Sequence, residues 1–334
     1  MPEAWRVLEH LAERGGFAFT EEHFDWSCAR YQRHGAMMPD DGLEQLRGAD
    51  AVFLGAVGHP GVPDHVSLWG LLIPIRREFD QYVNLRPIRL FEGVRSPLVL
   101  TRATDVDFVV VRENTEGEYS QVGGRMFAGT PHEMALQESV FTRRGVERTI
   151  RYAFELARTR RGHVTSATKS NGIIHTMPFW DEVFEDVAAD YADISTQREH
   201  IDALCAKVVL QPSRFDVIVG SNLFGDILSD LGAAVAGSIG IAPSGNLNPA
   251  REHPSMFEPV HGSAPDIAGQ GIANPLGQVW SAALMLEHLG EAESARALLQ
   301  AIETVLADGA MLTPDLGGRA STAQVTDALL ARLS

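Results

Sequence analysis

Short apolar runs alternate along this chain with longer stretches whose apolar positions recur at helical spacing. The runs at 51–57 (AVFLGAV), 97–101, 107–111 (DFVVV), 163–167 and 215–219 (FDVIV) predict buried strands, and 17–20 is a shorter candidate. Helices are predicted over 2–14, where Trp5, Leu8 and Leu11 share a face before Gly15-Gly16, and over 67–82. Pro74 in the second must sit in a first turn or at a kink. Further helices are predicted over 140–160 (Val146, Ile150, Ala153 and Ala157 in line), 178–191 with Pro178 at its start, 200–211, 274–289, 292–306 and 324–333. The stretch 123–138 alternates in part, as an exposed hairpin or arm would. Small residues dominate 232–245, which suits tight packing or a turn-rich crossover. Strands alternating with helices predict an α/β protein with much parallel sheet.

The length, 334 residues, leaves room for two domains. A hydrophobic share of 45% and a charged share of 22% are those of a globular protein. The formal charge of −16, from 28 basic and 44 acidic residues, argues against a general basic field for nucleic acid or an acidic membrane. An anionic substrate would need a local cluster of arginines. Cys28 and Cys205 provide no disulfide framework and fit a reducing cytosol. No apolar stretch reaches the ~18 residues of a membrane span, and the opening MPEAWRVLEHL lacks the pattern of a signal peptide. A cytoplasmic location is expected.

Candidate chemistry centres on 221–230, SNLFGDILSD. A helix starting near Gly225 stacks Asp226 and Asp230 on one face. A divalent cation would relieve their repulsion, since hard oxygen ligands suit Mg²⁺ or Mn²⁺. An exposed acidic helix start fits the same residues. Arg76, Arg86 and Arg112 stand at or near the ends of regular elements, and three converging guanidiniums would suit a di- or tricarboxylate. Singly, each also reads as a surface ion pair. Tyr119 could donate a proton or simply pack; Lys169 could act as a general base or be a solvated loop lysine. Asp202 by itself says nothing. The stretch 257–274 (FEPVHGSAPDIAGQGIAN) is rich in small residues that let backbone amides approach a phosphate or an adenine closely. It is not a GxGxxG fingerprint, which the chain lacks throughout, and PDIAGQG also suits an ordinary turn. Asp266 there could bind both ribose hydroxyls and repel a 2′-phosphate, favouring NAD over NADP.

Together, NLRP (84–87), VRENTEGEYS (111–120), TKSNG (168–172), SNLFGDILSDL (221–231) and EPVHGSAPDIAG (258–269) resemble the β-decarboxylating dehydrogenases of isopropylmalate, isocitrate, homoisocitrate, tartrate and D-malate. The resemblance covers nearly the whole chain. It implies an isopropylmalate/isocitrate dehydrogenase-like α/β fold of two discontinuous domains, not a Rossmann fold. Residues 1–81 with 237–334 would bind the cofactor, and 82–236 would carry dimerisation and the metal and substrate sites. Arg76, Arg86 and Arg112 would bind substrate carboxylates, Tyr119 would protonate the enol, and Lys169 would take the hydroxyl proton. Asp202, Asp226 and Asp230 would hold Mn²⁺ or Mg²⁺. His261, Gly262, Ser263, Ala264, Asp266 and Asn274 would bind the adenosine half of NAD, with Asn171 near the nicotinamide; K⁺ is a candidate monovalent ion. Lys169 and Asp202 would reach the site from the neighbouring subunit of a homodimer.

Leu72 falls where the family reads the substrate's variable group. Isopropylmalate enzymes carry a Glu-Thr-Gly-Leu-Leu-type stretch there, whereas this chain has Trp69-Gly70-Leu71-Leu72. With EGEYSQVGGR (116–125), that stretch is similar to the tartrate and D-malate branch. The expected order is tartrate or D-malate first, 3-isopropylmalate second and isocitrate third. Family members begin with a strand and a GDGIG-type loop that would precede Met1, so the first strand is expected to be missing and Met1 to be an internal start of a longer protein. Two rival readings are a catalytically impaired binding or regulatory relative and a metal-dependent isomerase that does not use NAD.

Overall fold

The centre of the molecule is a mixed sheet whose two ends are parallel and whose middle is antiparallel. The computed structural model describes residues 1–99 and 102–334. Its strands are β1 (Ala51–Phe53), β2 (Val83–Arg89), β3 (Asp107–Glu113), β4 (Gly123–Met126), β5 (Met134–Gln137), β6 (His163–Thr168), β7 (Ser195–His200), β8 (Val217–Gly220), β9 (Pro243–Leu247) and β10 (Ser255–Pro259). Eight of these lie in the order β1-β10-β9-β2-β3-β8-β6-β7, and β4 and β5 form a separate antiparallel hairpin. The α-helices are α1 (Pro2–Gly15), α2 (Cys28–His34), α3 (Gly42–Leu46), α4 (Asp64–Ser67), α5 (Ile73–Glu78), α6 (Arg143–Arg158), α7 (Thr176–Ala188), α8 (Ile201–Leu210), α9 (Asn222–Val235), α10 (Leu276–Leu289), α11 (Ala292–Asp308) and α12 (Thr322–Leu333).

The main core gathers Phe108, Val110 and Val111 of β3, Val217 and Val219 of β8, and Phe154 and Trp180 of α6 and α7, all fully buried. A smaller cluster of Val62, Leu71, Ile75, Phe79 and Met256 lies beneath the helical stretch 64–78. The two halves of the sheet meet where β2 pairs with β9 over only three residues, Val83–Leu85. Buried amides brace this seam: Asn84 Nδ2 donates to Ser244 Oγ at 2.8 Å and to Asn246 Oδ1 at 2.9 Å, and Asn114 Nδ2 donates to the same Asn246 oxygen at 3.0 Å.

Several predicted elements differ from the observed ones. Residues 17–20 form no strand, because Phe19 packs edge-on against Trp5 at 5.0 Å between centroids instead of joining a ladder. The run at 51–57 is a strand only to Phe53, beyond which Leu54 makes one more ladder-like bond to Phe257 O. Of the strand predicted at 97–101, residues 100 and 101 lie outside the described residues, and 97–99 are irregular. Helix α7 begins two residues before Pro178, and α9 begins at Asn222, before Gly225. Strand β7 (STQREH) carries no apolar run to betray it, and β2 is interrupted by Pro87. That proline lies past the three residues that pair with β9, so its missing N–H breaks no bond of that pairing. Strand β9 falls partly, and β10 wholly, outside the stretch that small residues marked as a crossover.

The helical stretch over 64–78 is broken in an informative way. Residues Leu68–Leu72 form a π-helical turn, with the Ile73 N–H reaching back to Leu68 O. Pro74 lacks an N–H and its ring would press on the carbonyl four residues earlier in a regular α-helix. The wider turn accommodates it and lets α5 start afresh at Ile73.

Candidate active site

Helix α9 supplies the centre of the site, and its start is fixed by Ser221, whose hydroxyl accepts from the Phe224 N–H and donates to Glu118 Oε1 at 2.7 Å. Glu118 Oε2 also accepts from the Leu223 N–H at 3.1 Å, so a carboxylate grips the positive end of the helix. One turn on, Asp226 faces β2 and β3. Its Oδ1 accepts from Arg112 Nη1 and from Arg86 Nη1 at 3.2 Å, and its Oδ2 accepts from the Tyr119 hydroxyl at 3.0 Å. Arg86 Nη1 also lies 3.8 Å from Asp230 Oδ1. The two aspartates therefore share one side of α9, as their spacing predicts.

A cavity of about 200 Å³ opens in front of this cluster. Leu72, Arg76, Arg86, Arg112, Tyr119, Asp226, His261 and Gly262 line it, so eight residues singled out in the sequence converge there. Val57, Leu68, Leu72 and Ile73 give it an apolar wall. Arg76 is buried and paired with Glu258 at 2.8 Å, and Asn246 Nδ2 donates to the same Glu258 oxygen at 2.9 Å. The Nε atoms of Arg76 and Arg86 are buried without a hydrogen-bond partner among the described residues. Buried donors left open in this way suit an anion or a water that completes the site.

The charges are tuned accordingly. Burial pulls the guanidiniums of Arg86 and Arg112 below their ordinary range, and Arg112 is lowered further by Arg86 beside it. Burial alone would raise Asp226, but Arg112 and Arg86 hold its carboxyl below the usual range. Desolvation pushes Asp230 upward, with Arg86 opposing and Asp226 adding to the rise. Burial and then the Asp226 charge push the Tyr119 phenol up, so it keeps its proton at neutral pH. Behind Arg112, Glu113 is fully buried, accepts from the N–H groups of Thr115 and Glu116, and is pushed up to about 7 by burial.

Other predicted residues lie outside this cavity. Lys169 Nζ donates to Asp202 Oδ1 at 2.8 Å, and neither residue lines the cavity of its own chain. The bond to Lys169 holds the exposed Asp202 carboxyl below its usual range. Asn171 is exposed on the turn after β6. Among the described residues no three His, Cys, Asp or Glu side chains gather as a metal site. Asp226 and Asp230 nevertheless offer two hard carboxylate ligands on one helix face, a donor set that fits Mg²⁺ or Mn²⁺ provided a third acid is supplied from elsewhere.

The stretch after β10 runs from the cavity outward. His261 and Gly262 border the cavity, Ser263 and Ala264 follow, and Ala264 adopts a left-handed φ of 44°. Asp266 is exposed, and its carboxylate has no hydrogen-bond partner among the described residues, which leaves it open to a pair of ribose hydroxyls. Asn274 is more constrained: its Nδ2 donates to Asp315 Oδ2 at 2.9 Å and its Oδ1 accepts from the Leu276 N–H at 2.9 Å. An open strip of this kind, continuous with the cavity, fits a dinucleotide. Sequence reasoning missed Asn222, whose Oδ1 accepts from Arg112 Nε at 3.1 Å and Nη2 at 2.7 Å, and also Glu118, Glu258 and Arg77. The four-residue interval from Asn222 to Asp226, which places both on the β3-facing side of α9, was the available signal for the first.

A model of the isocitrate/isopropylmalate dehydrogenase family matches residues 1–329. The chain belongs to that family. It is 59% identical over 337 residues to a D-malate dehydrogenase (decarboxylating) of Escherichia coli (strain K12), covering 98% of this chain and 93% of that protein. It is also 59% identical over 345 residues to a tartrate dehydrogenase/decarboxylase of Pseudomonas putida, covering 100% of this chain and 94% of the relative. The crystal structure of an isocitrate dehydrogenase from Methylococcus capsulatus superposes with a TM-score of 0.88 at 34% identity, over 99% of this chain and 96% of that one. With these relatives the chain is an oxidoreductase of the decarboxylating-dehydrogenase kind. The expected isopropylmalate/isocitrate dehydrogenase-like α/β fold is the observed one.

Proposed function

We propose that this enzyme oxidises and decarboxylates D-malate or tartrate with NAD⁺ and Mn²⁺ or Mg²⁺. The observation that carries the reading is the grip of Arg86, Arg112 and Tyr119 on Asp226 inside a cavity of about 200 Å³ that Arg76 also lines. Three arginines can hold the two carboxylates of a four-carbon hydroxy diacid. The apolar wall of Val57, Leu68, Leu72 and Ile73 offers no donor to a third carboxylate, which disfavours isocitrate. That same wall favours 3-isopropylmalate as the second reading, since it could pack an alkyl branch.

The chain's own residues divide the work. Arg76, Arg86 and Arg112 orient the substrate, and the apolar wall keeps water from the reacting carbon. Lys169 of a second copy would take the hydroxyl proton, and Tyr119, protonated at neutral pH, would deliver a proton to carbon once carbon dioxide has left. Asp226 and Asp230, joined by Asp202 of the second copy, would hold the divalent ion. Residues 261–266 would hold the adenosine half of NAD⁺, with Asp266 on the ribose, Asn274 beside it and Asn171 near the nicotinamide. When bound, the two groups supply a hydride acceptor and Lewis-acid stabilisation of the charge left by decarboxylation.

We infer a homodimer for two reasons. Lys169 and Asp202 stand away from the cavity of their own chain, and Ile227, next to Asp226, is 47% exposed. The hairpin of β4 and β5 exposes Met126, Phe127, Met134 and Leu136 as well. The division into 1–81 with 237–334 and 82–236 is supported by the short β2–β9 pairing, since β1, β9 and β10 fall on one side of it.

The test is a panel of D-malate, L- and meso-tartrate, 3-isopropylmalate and isocitrate with NAD⁺ and Mn²⁺, followed by NADH absorbance. Chelation, Mg²⁺ replacement and K⁺ addition run in the same assay. D-malate or a tartrate should give the highest kcat/KM, and chelation should abolish turnover. Turnover of 3-isopropylmalate faster than the others by a wide margin would overturn the substrate assignment.

A further inference from the structure

Arg77 lies beside Arg76 in α5, but successive helical side chains diverge by about 100° and the two guanidiniums part. Arg76 turns to Glu258, whereas Arg77 Nη2 donates to the backbone carbonyl of Tyr119 at 2.8 Å. The Arg77 guanidinium also lies over the Trp69 ring, 5.1 Å from its centroid. Trp69 belongs to the π-helical turn, so that turn and the Pro74 restart of α5 place the aromatic plate under the guanidinium. Among the described residues Arg77 forms no ion pair within 4.0 Å. Glu113 is the carboxylate whose field reaches it, and burial lowers the guanidinium against that field. Arg77 is thus committed to a carbonyl rather than to a charge.

That carbonyl belongs to the residue assigned the proton. On its far side this stretch is held by β3 and α9, through Asp226 on the phenol, the Arg112 guanidinium 5.6 Å from the ring centroid and the bonds of Glu118 to Ser221 and Leu223. Strand β5 and the residues after it hold the backbone as well: Gln137 Nε2 donates to Ser120 O at 2.8 Å, and Gly117 exchanges backbone bonds with Val140. Arg77 is the one that reaches it from the helical segment preceding β2. We propose that Arg77 is a positioning residue for Tyr119, a flat guanidinium clamped on Trp69 that fixes the backbone of the proton donor across the cavity. The proposal rests on the assignment of Tyr119 as the acid. Lysine cannot substitute fully, because a point charge lacks both the fork and the stacking plane.

The experiment is a double-mutant cycle of Arg77→Met and Tyr119→Phe on the full-length enzyme with Mn²⁺, NAD⁺ and D-malate, or whichever panel substrate is turned over best. In the wild-type background Arg77→Met should lower kcat by about ten- to a hundredfold with KM within about twofold. In the Tyr119→Phe background the same change should leave kcat unaltered, and Arg77→Lys should recover part of the loss. Additive losses in the cycle, or a raised KM with kcat intact, would overturn the proposal and make Arg77 an independent or substrate-binding group. A Tyr119→Phe enzyme with undiminished kcat would instead overturn the Tyr119 assignment itself. If Arg77→Met does not fold, Arg77→Lys runs the same cycle, with a kcat loss that again disappears with Tyr119→Phe.

Discussion

Gly225 faces Arg112 so closely that a methyl group on its α-carbon would lie 2.5 Å from Arg112 Cβ and 3.1 Å from Arg112 Cα. The helix that carries Asp226 rests against the strand that carries Arg112 through that missing side chain. Gly225→Ala should therefore push α9 away from β3. An overpacked core position costs about 1–3 kcal/mol, and a shift of the aspartates against the arginines costs turnover as well. Thermal unfolding and kcat should both fall, and an unchanged kcat would show that the contact does not set the site's geometry.

Asp226 neutralises a crowd of cations. Its loss leaves the buried Arg112 without a carboxylate and the buried Arg86 with only Asp230 at 3.8 Å, both in the field of Arg76. Asp226→Asn should lower the stability of the metal-free protein by about 2 kcal/mol, less than a fully buried pair because the aspartate is partly exposed. It should also reduce kcat/KM by about a thousandfold or more. Denaturant titration and initial rates give the two readouts. A stabilised variant would mean that the arginines do not need this partner for folding.

Glu113 gives a pH signature. Its folded carboxyl is raised from 4.5 to about 7, so the stability it contributes is fully present below pH 4.5 and is lost as pH rises through about 7. The difference corresponds to roughly 3 kcal/mol at most. Glu113→Gln should flatten the fall in unfolding free energy between pH 4.5 and 7.5 relative to wild type. Parallel curves for the two proteins would contradict the raised value.

If a second copy completes the site, Ile227→Asp should weaken association without touching the core, since Ile227 is exposed in the single chain. Sedimentation should show a shift toward monomer, with turnover falling at low protein concentration. A monomeric wild-type enzyme with full activity would remove Lys169 and Asp202 from the proposed chemistry.

Much of this was legible in the sequence where side-chain spacing alone carries the information. The four-residue interval of Asp226 and Asp230 placed them together as predicted, and Arg76, Arg86 and Arg112 reached one cavity. The exposed hairpin at 123–138 was visible in its alternation. Edge strand β7 was not, because a polar strand at a sheet margin has no apolar face to mark it. Nor was the role of Arg77, because the direction of its side chain depends on a π-helical turn that no periodicity announces. Glu118 was hidden in a loop of repeated glutamates, and only the position of the α9 N-terminus distinguishes it from Glu116.

The three-residue β2–β9 pairing, stitched by Asn84, Asn114 and Asn246, has a mechanical consequence. Backbone and amide bonds run without interruption across the line where the two flanks of the molecule join, so the cleft walls are coupled like two ends of a leaf spring. A gape of the mouth would twist that narrow band, and a substitution at Asn84 or Asn246, neither of which lines the cavity, would change how stiffly the jaws respond without altering a group that meets a substrate.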